Sequence, residues 1–108
     1  MGFNTGGSVT TGVQNALIGS NTGAALTDAD FNTAVGQQAL LTDTKGSKTT
    51  AIGHGALGTQ NFTTATDSEN TAVGREALKV NTTGTKNTAV GRHSMLDNTT
   101  GDFNVAVG

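Results

Sequence analysis

Asn70-Thr71-Ala72-Val73-Gly74-Arg75-Glu76-Ala77-Leu78-Lys79-Val80-Asn81-Thr82-Thr83-Gly84-Thr85-Lys86 aligns without a gap over Asn87 to Phe103, which begins Asn87-Thr88-Ala89-Val90-Gly91-Arg92. The opening pentad recurs as Asn32-Thr33-Ala34-Val35-Gly36, Thr49-Thr50-Ala51-Ile52-Gly53 and Asn104-Val105-Ala106-Val107-Gly108. The pentad glycines are thus spaced by 17, 21, 17 and 17 residues. A fixed short period marks stacked coils rather than a globular enzyme fold, since one such unit is too small to bury a face by itself.

Within the unit, further columns repeat. A second glycine follows ten residues after the first, at Gly46, Gly84 and Gly101. Three residues after the pentad glycine a small residue stands next to a large apolar one: Ala39-Leu40, Ala56-Leu57, Ala77-Leu78 and Ser94-Met95. The pentad reads as a strand, in which Thr71 and Val73 share one face and Asn70 and Ala72 the other. The larger face suits filling of the coil and the smaller one close approach of a second backbone, an assignment that the pattern leaves open. The glycines are expected where φ is positive or where a side chain would strike the next coil.

Val35, Gly36, Leu40, Ile52, Gly53, Leu57, Val73, Gly74, Leu78, Val90, Gly91, Met95, Val107 and Gly108 are therefore the structural repeat residues. The expected fold is an all-β parallel solenoid of about six coils, rising on the order of 25 to 30 Å. Four extra residues between Gly53 and Gly74 predict a loop insertion within 58–69, rich in Thr, Asp and Ser and lacking the second glycine. Residues 1–31 match the unit only with a one-residue shift and an excursion at Thr27-Asp28-Ala29-Asp30, so they read as degenerate coils carrying an insertion, and 32–108 as the regular part.

Composition agrees. With 33% apolar residues, 4% aromatics and 16 glycines in 108 residues, order has to come from stacking. The formal charge of -2, with lysines and arginines dispersed among carboxylates, offers no basic stripe for nucleic acid. No apolar run is long enough to insert into a membrane, and Met1-Gly2-Phe3-Asn4 does not begin a signal peptide. There is no cysteine for a disulfide or thiolate site and no proline to interrupt a ladder. The chain stops directly after a complete pentad, which suggests a segment of a longer fibre. Each unit supplies few substantial apolar side chains, such as Val73, Leu78 and Val80, against a backbone entropy cost of roughly 1 to 2 kcal/mol per ordered residue. Three-fold association burying the alanine faces is the expected remedy.

Asn-Thr-Ala-Val-Gly followed by x-x-Ala-Leu resembles the repeats of bacteriophage tail fibres and, less closely, the Asn-Ser-x-Ala-Ile-Gly repeats of trimeric autotransporter adhesin heads. The resemblance covers 32–108 and departs from the adhesin heads in using a longer coil. It implies a left-handed β-roll, three chains about one axis, and a role in attachment to a host or surface receptor such as a glycan or outer-membrane protein, on a virion or at a cell surface.

No catalytic, metal or cofactor site is expected. His54 and His93 fall in different columns, and the carboxylates occupy turns without the glycine-aspartate nonapeptide of calcium-binding solenoids. Asn61-Phe62-Thr63, Asn81-Thr82-Thr83 and Asn98-Thr99-Thr100 match the glycosylation pattern through repetition alone. Phe31 and Phe103 share a column and are expected to pack at a coil corner, whereas Phe62, inside the insertion, is the candidate receptor contact. Competing readings are a filament-forming solenoid and an ice-binding solenoid, the latter weakened by ranks of Thr-Ala-Val rather than Thr-x-Thr.

Overall fold

A computed structural model describes all residues, Met1 to Gly108. The chain is a parallel β-solenoid without helices. Its strands are β1 (Ala16–Ile18), β2 (Thr33–Val35), β3 (Gly46–Ser47), β4 (Thr50–Ile52), β5 (Thr66–Asp67), β6 (Thr71–Val73), β7 (Thr88–Val90) and β8 (Val105–Val107). The pentad strands form one six-stranded parallel sheet in the order β1-β2-β4-β6-β7-β8, and β3 pairs with β5 in a second, two-stranded sheet. Six stacked strands bound five full coils, one fewer than the period suggested, with residues 1–15 wrapping as a partial coil beneath them.

The register places like on like: Thr50 pairs with Thr71, Ala51 with Ala72 and Ile52 with Val73. Pentad glycines adopt φ between +118° and +134° from Gly19 to Gly108. At Gly74, φ is +134° and a Cβ would lie 2.5 Å from the Gly91 carbonyl oxygen of the next coil, so only glycine fits on both counts. The second glycine column has a different cause. Gly84 has an ordinary φ, but a Cβ there would collide with the Asn81 side-chain oxygen and the Gly101 carbonyl.

Leucine also takes the left-handed conformation. Leu40, Leu57 and Leu78 and, one coil on, Met95 have φ of 50–51°, a region costly for a bulky residue and unsignalled in the sequence. The backbone turn there aims the side chain inward: the three leucines are fully buried, with Ala39, Ala56 and Ala77 beside them. Met95 is partly buried against the same cluster.

The strand faces are assigned by burial. Ala34, Ala51, Ala72 and Ala89 are completely buried inside the coil, while Thr and Val or Ile point outward. The alanine face is thus covered by its own chain and is not the surface for association. Small side chains face inward because the leucines from the opposite turn already fill the narrow interior.

The amino-terminal third also departs from the expectation. Ala16 pairs with Thr33 and Ile18 with Val35, a 17-residue step with no insertion. Gly2 and Gly19, with φ of 142° and 129°, extend the glycine column downward. Thr27 N–H donates to Thr44 O and Lys48 N–H to Asp30 O, so Thr27 to Asp30 lie within the regular coil. Between β4 and β6 the step is longer: Thr50 pairs with Thr71, 21 residues on, where the other steps are 17. The extra residues leave the coil after Phe62 and rejoin at β5, where Thr66 N–H donates to Lys45 O.

Candidate functional site

Two features stand apart from the repeating scaffold: a buried polar cluster at the root of the insertion, and an open strip on the six-stranded sheet.

Inside most coils the pentad asparagine forms a ladder. Asn70 Oδ1 accepts from Asn87 N–H at 2.9 Å while its Nδ2 donates to Gly84 O at 2.7 Å, and Asn87 repeats this toward Asn104 and Gly101. Asn32 does the same toward Thr49 N–H and Gly46 O. Thr49 replaces asparagine beside the insertion, and the ladder is bridged there by other groups. Gln60 Nε2 donates to Asp43 Oδ2 at 2.6 Å and to Thr49 Oγ1 at 3.2 Å, and Gln60 Oε1 accepts from Asn70 Nδ2 at 2.8 Å. Thr49 and Ser68 share a hydroxyl bond. The Asp43 carboxylate also accepts from Phe62 N–H at 2.9 Å and Gly46 N–H at 3.2 Å. These side chains are buried, and every buried polar side-chain atom is paired. With all acceptors and donors engaged internally, the cluster anchors the loop and presents nothing to a reactant.

The sheet strip is the opposite case. Its two outward ranks are Ala16, Thr33, Thr50, Thr71, Thr88 and Val105, and Ile18, Val35, Ile52, Val73, Val90 and Val107. Neither rank carries a charge. Ile18 is 52% exposed, Ile52 38% and Val90 37%. On one side the strip is flanked by the column Gln37, His54, Arg75 and Arg92, on the other by Phe31, Lys48, Glu69 and Lys86.

The Thr33, Thr50, Thr71 and Thr88 hydroxyls make no hydrogen bond within the chain. Elsewhere threonine ranks are internally engaged: Thr27 Oγ1 donates to Thr44 O at 3.2 Å, Thr44 to Phe62 O at 2.8 Å and Thr82 to Thr99 O at 3.1 Å. The sheet face thus carries a rank of four successive free threonine hydroxyls, unlike the Thr27 and Thr44 column. The sequence shows this column, interrupted by Val105, but not that it faces outward, which follows from alanine taking the inner face.

Phe62 is only 6% exposed, its ring close above Gly46 and its N–H held by Asp43, so it is an anchor of the insertion and not a surface contact. The exposed tip is Thr63-Thr64-Ala65. Phe31 and Phe103 do not pack inward: they are 53% and 72% exposed, and Lys86 Nζ sits 5.0 Å from the Phe103 ring centroid. Of the three glycosylation patterns, Asn81 is buried, which removes that one, while Asn61 is exposed.

The histidines separate as well. His93 Nε2 meets Glu76 Oε2 at 2.7 Å across adjacent coils, and Lys79 Nζ lies 2.9 Å from Glu76 Oε1. The hydrogen bond from Lys79, then that from His93, holds the Glu76 carboxyl below its usual range, at about 2. Lys48, bonded to Asp67 at 2.7 Å, is pushed upward by that hydrogen bond and charge. No group of carboxylates, histidines or cysteines has the arrangement of a metal site.

No protein-family model matches the chain, and no curated protein and no solved structure shows significant similarity to it.

Proposed function

We propose that the chain is a non-enzymatic structural and adhesive segment of a surface-attachment fibre, of the kind found on phage tails or as bacterial surface adhesins, working in the virion or outside the cell. The observation that carries this reading is the register. Identical short strands stack over the length of the chain on Gly-closed turns, a design that fixes reach and orientation while length variation is confined to an exposed loop. The Asn-Thr-Ala-Val-Gly-x-x-Ala-Leu units support it through their resemblance to fibre repeats.

In this reading the sheet and turns supply rigidity, and the insertion around Thr63-Thr64-Ala65 is the variable display element. The test is binding of fluorescently labelled chain to intact bacterial cells and to an array of surface glycans. Saturable binding to one cell type or glycan class is the expected result. Absence of binding across diverse cells and glycans, with the chain folded, would overturn the adhesive role.

One observation favours a second reading. Alanine faces inward, so threonine and valine or isoleucine both face outward, and the free threonine hydroxyls repeat at the strand spacing of about 4.8 Å. A flat periodic array of hydroxyls and methyls is what an ice-binding surface requires. Thermal hysteresis of the purified chain decides it.

A further inference from the structure

We infer that the part of the strip carried by β6 and β7, with its two flanking columns, is a binding site for a linear glycan bearing carboxylates, laid across the coils and held by Arg75, Arg92 and Lys86. The inference rests on the attachment reading and names the receptor chemistry within it.

Charge carries the argument. The chain has six lysines and arginines. Three are neutralised within it: Lys45 lies 3.6 Å from Asp28, Lys48 2.7 Å from Asp67 and Lys79 2.9 Å from Glu76. The other three all flank the strip beside β6 and β7. Arg92 and Lys86 form no ion pair, and Lys86 meets only the face of the Phe103 ring. Arg75 reaches Glu76 at 3.9 Å, but that carboxylate is already held by Lys79 and His93. Arg75 and Arg92 stand in one column on adjacent coils, about 4.8 Å apart at the backbone, where like charges repel unless they share an anion. The chain supplies none, so the anion comes from outside.

Shape selects the kind of anion. The molecule holds no cavity, so the ligand lies on the surface. Between the flanking columns the floor is Thr71 and Val73, then Thr88 and Val90. The threonine hydroxyls are free to donate to sugar oxygens, and the valine methyls meet the C–H side of a sugar ring. Each guanidinium matches a carboxylate through two parallel hydrogen bonds. A peptide adding as a strand finds no edge here, since β6 and β7 are paired on both sides. Duplex nucleic acid, with a phosphate charge every ~1.7 Å, is opposed by Glu69 in the Lys86 column and by the overall charge of -2. A glycan with widely spaced carboxylates avoids both.

Isothermal titration calorimetry of the full chain with oligogalacturonate, and with the same oligomer methyl-esterified, tests this. The free acid is expected to bind saturably and more weakly as salt rises, and the neutral ester not to bind. Arg75→Gln, Arg92→Gln and Lys86→Gln are each expected to weaken binding about five- to tenfold. Lys45→Gln removes the same charge from a paired lysine away from the strip and is expected to leave the affinity unchanged. Circular dichroism of each variant separates lost contacts from lost folding.

No binding of the acid, equal binding of acid and ester, an equal loss from Lys45→Gln, or full affinity in the arginine variants would overturn the site. Duplex DNA held as tightly as the oligomer, and released by the same substitutions, would overturn it in favour of nucleic acid. Binding to cells or neutral glycans that survives the arginine substitutions would leave the attachment reading standing while the site falls. Absence of binding to every cell and glycan would remove the attachment reading itself.

Discussion

The coil from Asn15 to Phe31 and the coil from Asn70 to Lys86 have the same backbone and different interiors. In the later coil a small Ala72 sits on the strand, Leu78 at the turn and a polar Asn81 further round, all buried. In the earlier coil Leu17 is on the strand, Gly23 at the turn and Leu26 further round. A Cβ on Gly23 would lie 3.0 Å from Leu17 Cδ2 and 2.9 Å from Leu26 Cδ1, so the bulk missing from the turn is supplied from two other columns. The conformations match: Gly23 has φ of 55° and Leu78 of 50°. Core volume is thus conserved around the coil while its source moves from wall to wall, which the close packing of interiors permits.

The sharpest way to break the comparison is at what both coils share. Gly74→Val is expected to destabilise the chain by about 3 kcal/mol or more, since it adds backbone strain to a collision with the next coil. Arg75→Val, on an exposed neighbour, is expected to stay within about 0.5 kcal/mol. Equal losses in thermal melts would remove the steric argument.

Next in size is the exchange itself. Leu17→Ala is expected to cost about 2–3 kcal/mol by opening a void, and Gly23→Leu about 1–3 kcal/mol by overpacking. The double variant, which gives the amino-terminal coil the filling of the later ones, is expected to recover at least about 1 kcal/mol relative to the sum. Strict additivity in urea titrations would show that the two columns do not share a volume.

The difference between the two interiors explains what the sequence concealed. Residues 32–108 were legible because identity and position repeat together, from the glycine spacing to the small-large pairs. Residues 1–31 were misread because their columns conserve summed volume, not identity: Asn15-Ala16-Leu17-Ile18-Gly19 is a pentad with Leu17 in the alanine column. The faces of the strand were undecided for a related reason, since Ala72 is inward only because Leu78 fills the space from a left-handed turn. The insertion was visible as four surplus residues, but the burial of Phe62 and its bond to Asp43 depend on a contact across 19 residues that no local pattern encodes.

Asp43 sharpens the comparison at a third level. It occupies the column of Leu26 and Asn81 but accepts only from donors, Phe62 N–H, Gly46 N–H and Gln60 Nε2. Asp43→Asn introduces an amide that must face one of them, for an expected loss of about 1–3 kcal/mol. Asn98→Ala in the same column, partly exposed, is expected to cost less. Chemical denaturation of both checks the order.

The smallest effect concerns the clamp between β6 and β7, which the amino-terminal coil lacks. The Glu76 carboxyl is lowered from 4.5 to about 2, so the folded chain resists its protonation more than the unfolded one. Its contribution is fully present above about pH 4.5 and lost as pH falls toward 2. Glu76→Gln is expected to flatten this part of the stability profile, measured by melting between pH 2 and 5, and to leave the exposed sheet face unaltered.

The direction of the backbone hydrogen bonds has a mechanical consequence. Most run from one coil to the next, along the stack rather than within a layer. Tension applied along the stack pulls on the layers in series, so rupture begins at whichever layer is held most weakly and proceeds by peeling single coils. Where the asparagine ladder is interrupted at Thr49, side chains from the two flanking layers interlock through Gln60, and that splice adds buried bonds to the layers that bound the longest coil.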